Sequence, residues 1–196
     1  MDSIFLIVMV YSVMILSLLS AVLFLVLSSI FIRMYRIYPD EIWIRISLGF
    51  ILLAISQATI LLSIVLKEAR ILYALFVSTP AFAVSGAYML WSSRRSFNTS
   101  YMISITSFSI SLQELLRILP SALDLLAGIF ILAVGLNSRR FIRLGFVLVS
   151  VSYIVRSIWF LSPTSIYALS VLLIAEIIRS FGALIMTAGY LRRSIL

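Results

Sequence analysis

Six apolar segments, each at least 18 residues long, follow one another along this chain and leave no hydrophilic stretch long enough for a soluble domain. The segments cover residues 4–32, 42–66, 71–93, 121–138, 141–162 and 165–191. About 20 predominantly apolar residues in a helix cross the hydrocarbon core of a bilayer. A backbone in hydrocarbon must satisfy its own hydrogen bonds, which a helix does. The sequence therefore predicts an all-α integral membrane protein, with a single membrane domain over residues 1–196.

The number of spans depends on residues 100–119, which are apolar on one helical face and rich in Ser and Thr on another. Such a segment either lies flat in the interface or crosses the membrane with its polar face packed on other helices. If it crosses and the N-terminus is outside, ten arginines face the cytoplasm and three basic residues face out. If the segment does not cross, six basic residues face the cytoplasm and seven face out, which shows no bias. The inside ten would be Arg33, Arg36, Arg45, Arg94, Arg95, Arg139, Arg140, Arg143, Arg192 and Arg193.

Cytoplasmic loops carry an excess of Lys and Arg, so this count favours seven spans in the plasma membrane, with the N-terminus out and the C-terminus in. The prediction requires a tight turn between spans four and five, and Pro120 and Ser121 are suited to it. Six spans plus an interfacial helix is the alternative.

Short sequence matches between the two halves of the chain predict an internal repeat. Leu-Gly-Phe occurs at 48–50 and 144–146, Ser at 56 and 152, Tyr-Ala-Leu at 73–75 and 167–169, and Arg-Arg-Ser at 94–96 and 192–194. The offsets are 96, 94 and 98. We therefore predict tandem three-helix repeats in a 3+1+3 arrangement, with repeat one over 4–96, a linker helix over 100–119 and repeat two over 121–194.

The first half has almost no ionisable residue well inside its predicted spans, whereas the second half, counted from the segment 100–119 onwards, has several. These six candidates for an intramembrane polar network are Glu114, Arg117, Asp124, Arg156, Glu176 and Arg179. A charge at the centre of a membrane helix costs roughly 2.5–3.5 kcal/mol on insertion scales, so each group needs a partner. The six residues are three acids and three bases, so together they carry no net charge. Because arginine binds a carboxylate with two hydrogen bonds, we expect Arg156 to pair with Glu176.

The residue types that are missing exclude several classes of function. There is no His and no Cys, which removes the usual zinc and haem ligands and the Cys and His catalytic groups. We predict no catalytic residue, no metal site and no cofactor, and hence no enzyme. Most Arg lies at the ends of apolar segments, so the net charge of +8 indicates membrane topology and not nucleic-acid binding. The scarcity of Lys and absence of Cys agree with a thermophilic source.

Two functions agree with these features. The first is a non-enzymatic polytopic protein, either an accessory or scaffold subunit of a membrane complex or a membrane-embedded sensory module. Its partners would be the lipid bilayer and other membrane subunits or a second copy of the chain. The alternative is a transporter of a small solute or ion, with a polar site between the helices of the second half.

Overall fold

The computed structural model describes residues 3–66, 69–93, 112–161 and 166–194, and within these ranges the chain forms six α-helices and no strand. Five of the helices are long and apolar enough to cross a membrane, which confirms the predicted all-helical, membrane-spanning class. The helices are α1 (Ser3–Ile37), α2 (Glu41–Val65), α3 (Ala69–Ser92), α4 (Leu112–Leu136), α5 (Arg140–Leu161) and α6 (Ile166–Ser194).

The six helices form a closed ring, in which each helix packs on its two neighbours in the chain and α6 returns to pack on α1. The lipid-facing positions carry large exposed apolar side chains, such as Leu25, Ile158 and Phe181. The interior is filled from all sides, and Phe24, Phe50, Ile131 and Phe146 belong to one buried apolar cluster. A single core therefore holds both halves of the chain together.

Contacts between neighbouring helices fix their directions in the first half. Along α1 and α2 the numbering runs in opposite senses, since Phe24 stacks on Phe50 and Phe31 on Trp43. Ser56 on α2 donates a hydrogen bond to the carbonyl of Thr79 on α3. About two turns earlier on α2, Gly49 contacts Leu90 near the end of α3. Both pairs are antiparallel, so α1 and α3 point the same way.

The second half repeats this pattern. Asp124 contacts Arg156 while Gly135 contacts Phe146, so α4 and α5 are antiparallel. Contacts between α5 and α6 are antiparallel as well. By contrast α1 and α6 are parallel, because Ser20 is bonded to Ser180 and Phe31 packs on Tyr190.

It follows that α3 and α4 also point in the same direction. The C-terminal end of α3 and the N-terminal end of α4 therefore lie at opposite ends of the bundle. The same directions bring the described arginines of the helix ends to one end of the bundle: Arg33, Arg36, Arg45, Arg139, Arg140, Arg143 and Arg192.

Two contacts between glycines recur in the two halves with the same geometry. A Cβ atom built on Gly49 would lie 2.9 Å from the carbonyl oxygen of Gly86, and one on Gly86 would lie 2.7 Å from the oxygen of Gly49. For Gly145 and Gly182 both corresponding distances are 2.8 Å. Only glycine allows the backbones of α2 and α3, and of α5 and α6, to approach this closely. Gly145 and Gly182 follow Gly49 and Gly86 by the same 96 positions.

The turn predicted at Pro120 and Ser121 is wrong, because α4 continues through both residues and ends only at Leu136. A proline inside a helix removes one backbone hydrogen bond, to the carbonyl four residues earlier. In an apolar environment each unsatisfied backbone group is costly, so the helix keeps its remaining backbone hydrogen bonds and continues past Pro120. Of the predicted linker helix over 100–119, residues 100–111 lie outside the described part of the chain.

Candidate functional site

Seven polar side chains meet, fully buried, near the middle of the ring. We call them the central cluster: Gln57 on α2, Asp124 on α4, Ser152, Tyr153 and Arg156 on α5, and Glu176 and Arg179 on α6. Six of these residues lie at least two turns from both ends of their helices, whereas Arg156 lies five residues before the end of α5 at Leu161. The cluster is therefore buried between the helices, with Arg156 towards the end of the bundle opposite the arginine-rich end.

One ion pair joins α4 to α5. Arg156 donates from Nε to Asp124 Oδ2 at 2.5 Å and from Nη2 to Asp124 Oδ1 at 2.6 Å. This is the two-bonded arrangement that a guanidinium and a carboxylate favour. Both side chains have no exposed surface, so each charge depends on the other for its neutralisation.

A second ion pair lies on α6 and reaches across to the first half of the chain. Arg179 Nη1 donates to Glu176 Oε1 and to Gln57 Oε1, each at 2.6 Å. Arg179 Nε donates to Ser152 Oγ at 3.1 Å. Glu176 and Arg179 are three positions apart on one helix, which brings their side chains to the same face. Through Gln57, this pair connects α6 to α2 on the far side of α1.

The ring of Tyr153 contacts the guanidinium groups of both ion pairs. The guanidinium carbon of Arg156 is 4.7 Å from the centre of its ring, and that of Arg179 is 4.5 Å from it. Both are cation–π distances, and such contacts are strongest where water is excluded. The Gln57 amide nitrogen is 3.4 Å from the Tyr153 hydroxyl. The ring thus holds both guanidinium groups in one region of the interior.

Three polar atoms of the cluster have no hydrogen-bond partner within the described residues. They are Arg156 Nη1, Arg179 Nη2 and Glu176 Oε2, and all three are buried. Buried polar atoms are almost always hydrogen-bonded in native proteins. Two donors and one acceptor are therefore available, next to the Tyr153 ring, for a molecule other than the described chain.

The cluster contains four of the six residues that the sequence singled out: Asp124, Arg156, Glu176 and Arg179. The expected pairing of Arg156 with Glu176 is wrong, because Arg156 binds Asp124 and Glu176 binds Arg179. An acid on α4 faces Arg156 directly across the antiparallel contact, whereas Glu176 is already engaged one turn along its own helix. Glu114 and Arg117 fall at the start of α4, where their side chains lie outside the described part of the structure.

Sequence reasoning missed Gln57, Ser152 and Tyr153 as members of the central cluster. A signal for them was present. The match of Leu-Gly-Phe and Ser between the halves has an offset of 96, and that offset aligns Gln57 with Tyr153. Two polar residues at equivalent positions in apolar helices indicate a shared interior position.

The groups of the central cluster are suited to bind a polar molecule. Among the described residues no group of three or more His, Cys, Asp or Glu is arranged to hold a metal ion. The cluster offers hydrogen bonds, two positive and two negative charges, and one aromatic face. No family model matches this chain, and no curated protein and no solved structure is significantly similar to it.

Proposed function

We propose that the protein is a membrane carrier for a small polar solute and that the central cluster is its binding site. The observation behind the proposal is the set of three unpartnered atoms, Arg156 Nη1, Arg179 Nη2 and Glu176 Oε2. If the ion pairs only fixed the packing of the helices, polar atoms without a hydrogen bond would add no stability. A solute site requires such groups, because they are the atoms that bind the solute.

The energetic argument rests on the depth of the cluster. An unsatisfied buried donor or acceptor costs about 1–3 kcal/mol, and more when the group is charged. Three such atoms in a bundle surrounded by hydrocarbon cannot be compensated from outside, since lipid tails offer no hydrogen bonds. A polar molecule between the helices, either water or a solute, would remove this cost.

The proposal includes a seventh crossing of the membrane between α3 and α4. Its support is the parallel direction of these two helices, which puts the end of α3 and the start of α4 at opposite ends of the bundle. With seven spans the arginine-rich end is cytoplasmic, the N-terminus is outside and the C-terminus is inside, as the positive-inside rule favours. This arrangement agrees with residence in a plasma membrane.

We further propose that the chain consists of two parallel three-helix halves, α1–α3 and α4–α6. The support is the pair of equivalent glycine contacts, Gly49 with Gly86 and Gly145 with Gly182, separated by the same 96 positions. Parallel repeats related by an axis along the membrane normal are a known transporter design, with the substrate bound near the midplane between the repeats.

The two seams between these halves, α1 with α6 and α3 with α4, are the least extensive of the six helix contacts. One seam carries small polar residues, where Ser180 bonds both Ser20 and the carbonyl of Leu16. The other carries an aromatic contact of Tyr88 and Trp91 with Phe130. Rocking of one half against the other would open these seams and leave the glycine contacts inside each half intact.

Thiol labelling tests the carrier function without knowledge of the solute. The chain has no cysteine, so single cysteines can be introduced at will. Ser152→Cys places a thiol of similar size in the central cluster. Ser28→Cys is the matched control, because Ser28 is equally buried but bonds Ser47 in the contact of α1 with α2, away from the cluster.

We expect a small water-soluble thiosulfonate reagent to label Ser152→Cys in the folded protein and to leave Ser28→Cys unmodified, with mass spectrometry of the intact protein as the readout. Labelling of neither thiol under conditions that label an exposed cysteine would mean a dry interior. That result would remove the carrier function.

The second candidate is the non-enzymatic scaffold or accessory subunit. Its support is the internal balance of the cluster, in which Asp124 neutralises Arg156 and Glu176 neutralises Arg179. Such pairs fix the register of packed helices whether or not a solute binds. A stable membrane partner or a homo-oligomer recovered with the protein, together with unlabelled Ser152→Cys, would favour this function.

A further inference from the structure

We infer that the solute is a small zwitterion, with its carboxylate held by the Arg156 and Arg179 guanidinium groups and its ammonium held by Glu176. The inference rests on the proposed carrier function and specifies its substrate class. It follows from two properties of the central cluster: its net charge and the identity of its unpartnered atoms.

The described charges of the cluster sum to zero, with Asp124 and Glu176 against Arg156 and Arg179. A solute with a net charge would leave that charge uncompensated in the middle of the membrane, which is costly. An electrically neutral solute adds no such cost.

The unpartnered atoms distinguish a zwitterion from an uncharged polar solute. Arg156 Nη1 and Arg179 Nη2 are donors on positive groups, and Glu176 Oε2 is an acceptor on a negative group. Hydrogen bonds in which the donor or the acceptor is ionised are about twice as strong as those between neutral groups, and a contact between opposite charges gains Coulomb attraction as well. A carboxylate on the two guanidinium groups and an ammonium on Glu176 give each open position a partner of opposite charge, which a sugar or polyol does not.

The geometry also limits the size of the solute. Arg179 Nη2 and Glu176 Oε2 are the free ends of one ion pair, whose bonded atoms Nη1 and Oε1 are 2.6 Å apart. A molecule that meets both free atoms must carry its carboxylate and ammonium close together. An α-amino acid, in which one carbon separates the two groups, fits this requirement.

Four probes of similar size test the inference on the purified full-length chain. L-alanine carries both charges, propionate only the carboxylate, ethylammonium only the ammonium, and glycerol neither. A ligand that binds only the folded state raises the unfolding temperature by an amount that grows with the ratio of its concentration to its Kd, so probes at equal concentration are ranked by affinity. We expect L-alanine to stabilise the protein, and the other three probes to bind at least about tenfold more weakly, since each lacks one or both charge-assisted contacts.

Glu176→Gln gives a sharper result, because it removes the ammonium site and leaves the cluster with a net charge of +1. The variant should lose at least about tenfold in affinity for L-alanine and gain affinity for propionate, which now neutralises the cluster. Glu41→Gln is the matched control. Glu41 also pairs with an arginine on its own helix, but it is 83% exposed at the start of α2, and its loss should leave both affinities unchanged.

Each outcome decides the inference. Tighter binding of propionate, ethylammonium or glycerol than of L-alanine by the wild-type protein would overturn the zwitterion and leave the carrier function standing. Unchanged selectivity in Glu176→Gln would also overturn it. The wild-type comparison is decisive even where this variant does not fold.

If none of the four probes binds, the inference is overturned, and labelling of Ser152→Cys then separates the two proposals. A labelled thiol keeps the carrier function with another solute, and an unlabelled thiol removes both. Accumulation of radiolabelled L-alanine by liposomes that contain the protein is the expected confirmation that binding is coupled to transport.

Discussion

At the residue scale, the ion pair of Asp124 with Arg156 joins two charged side chains that are both fully buried. Arg156 is among the largest side chains that have no exposed surface. Two hydrogen bonds to Asp124 and the face of Tyr153 neutralise it. The net stabilisation by such a pair is small, because desolvation of both charges offsets their attraction. The loss of one partner is strongly destabilising, because the remaining charge is then buried without a counter-charge.

Asp124→Asn should therefore lower the free energy of unfolding by about 3–5 kcal/mol. The carboxamide keeps the size of the side chain but leaves the Arg156 charge without a counter-charge. The measurement is unfolding in micelles with increasing sodium dodecyl sulfate, followed by helical circular dichroism. Glu41→Gln, at an exposed pair with Arg45, is the control and should change the value by less than about 0.5 kcal/mol.

The double variant Asp124→Leu, Arg156→Met removes both charges and should recover most of that loss. A double variant as unstable as Asp124→Asn would show that the pair itself, and not the unpaired charge, carries the stability.

The presence of intramembrane charges was predictable from sequence, but their pairing was not. Composition and periodicity identify Asp124, Arg156, Glu176 and Arg179 as charges inside apolar helices. Which acid meets which base depends on the register between helices. A shift of one turn moves a side chain by about 5.4 Å, which is more than the length of a hydrogen bond, and no local pattern determines it.

At the element scale, the close packing of α2 on α3 and of α5 on α6 depends on pairs of glycines. At Gly145, an added Cβ would lie 2.8 Å from the backbone oxygen of Gly182 and 2.5 Å from a side-chain carbon of Met186. The backbone atom cannot move without its helix. Methionine can adjust, but the two helices must separate to accommodate a methyl group.

Gly145→Ala should consequently lower the free energy of unfolding by about 1–3 kcal/mol, in spite of the higher helix propensity of alanine. Gly49→Ala should have an effect of the same size, because Gly49 makes the equivalent contact with Gly86. The same denaturation measurement applies.

Gly189→Ala is the control for both variants. The nearest neighbours of its added Cβ are side-chain atoms of Ile142 and Phe141, at 2.9 and 3.2 Å, and these can give way. It should be less destabilising than either of the other two. Equal effects at all three positions would contradict the argument from backbone contact.

The helices themselves were largely predictable at this scale, and their ends less so. Long apolar segments predict α1, α2, α5 and α6 closely. The helix end predicted at Pro120 is wrong, because a membrane helix tolerates the loss of the one backbone hydrogen bond that a proline removes. Pro80 in α3 is a second such residue.

At the scale of the whole molecule, the ring and the directions of its helices bear on the membrane topology. In a six-span chain with alternating directions, the turn between α1 and α2 and the turn between α4 and α5 would face opposite sides of the membrane. With a seventh crossing between α3 and α4 they face the same side. The parallel directions of α3 and α4 favour the second arrangement.

Single cysteines at exposed turn positions distinguish the two arrangements. Tyr38→Cys and Asn137→Cys report the two turns, and Leu161→Cys, at the end of α5, reports the opposite end of the bundle. In right-side-out vesicles of the expression host, an impermeant maleimide should label Leu161→Cys and leave the other two protected until the vesicles are opened. Labelling of only one of Tyr38→Cys and Asn137→Cys would contradict the seven-span proposal.

The arginine count in the sequence predicts that both turns face the cytoplasm, because cytoplasmic loops carry an excess of Lys and Arg, and this topology stays a prediction. The closure of the ring was not predictable. It depends on the contact of α1 with α6, where Ser20 meets Ser180, and small polar residues in apolar helices do not identify their partner helix.

The contact of Gln57 with Tyr153 has a consequence for the origin of the chain. Under the proposed duplication these two residues, 96 positions apart, descend from one codon, and a residue touches its own copy only on a two-fold axis. The ancestor would then have been a symmetric homodimer of a three-helix subunit, with a single residue type facing itself at its centre. Fusion of two such genes would have allowed the two copies of that residue to diverge into an amide and a phenol. The charged groups of the second half would then be a later addition to a symmetric site.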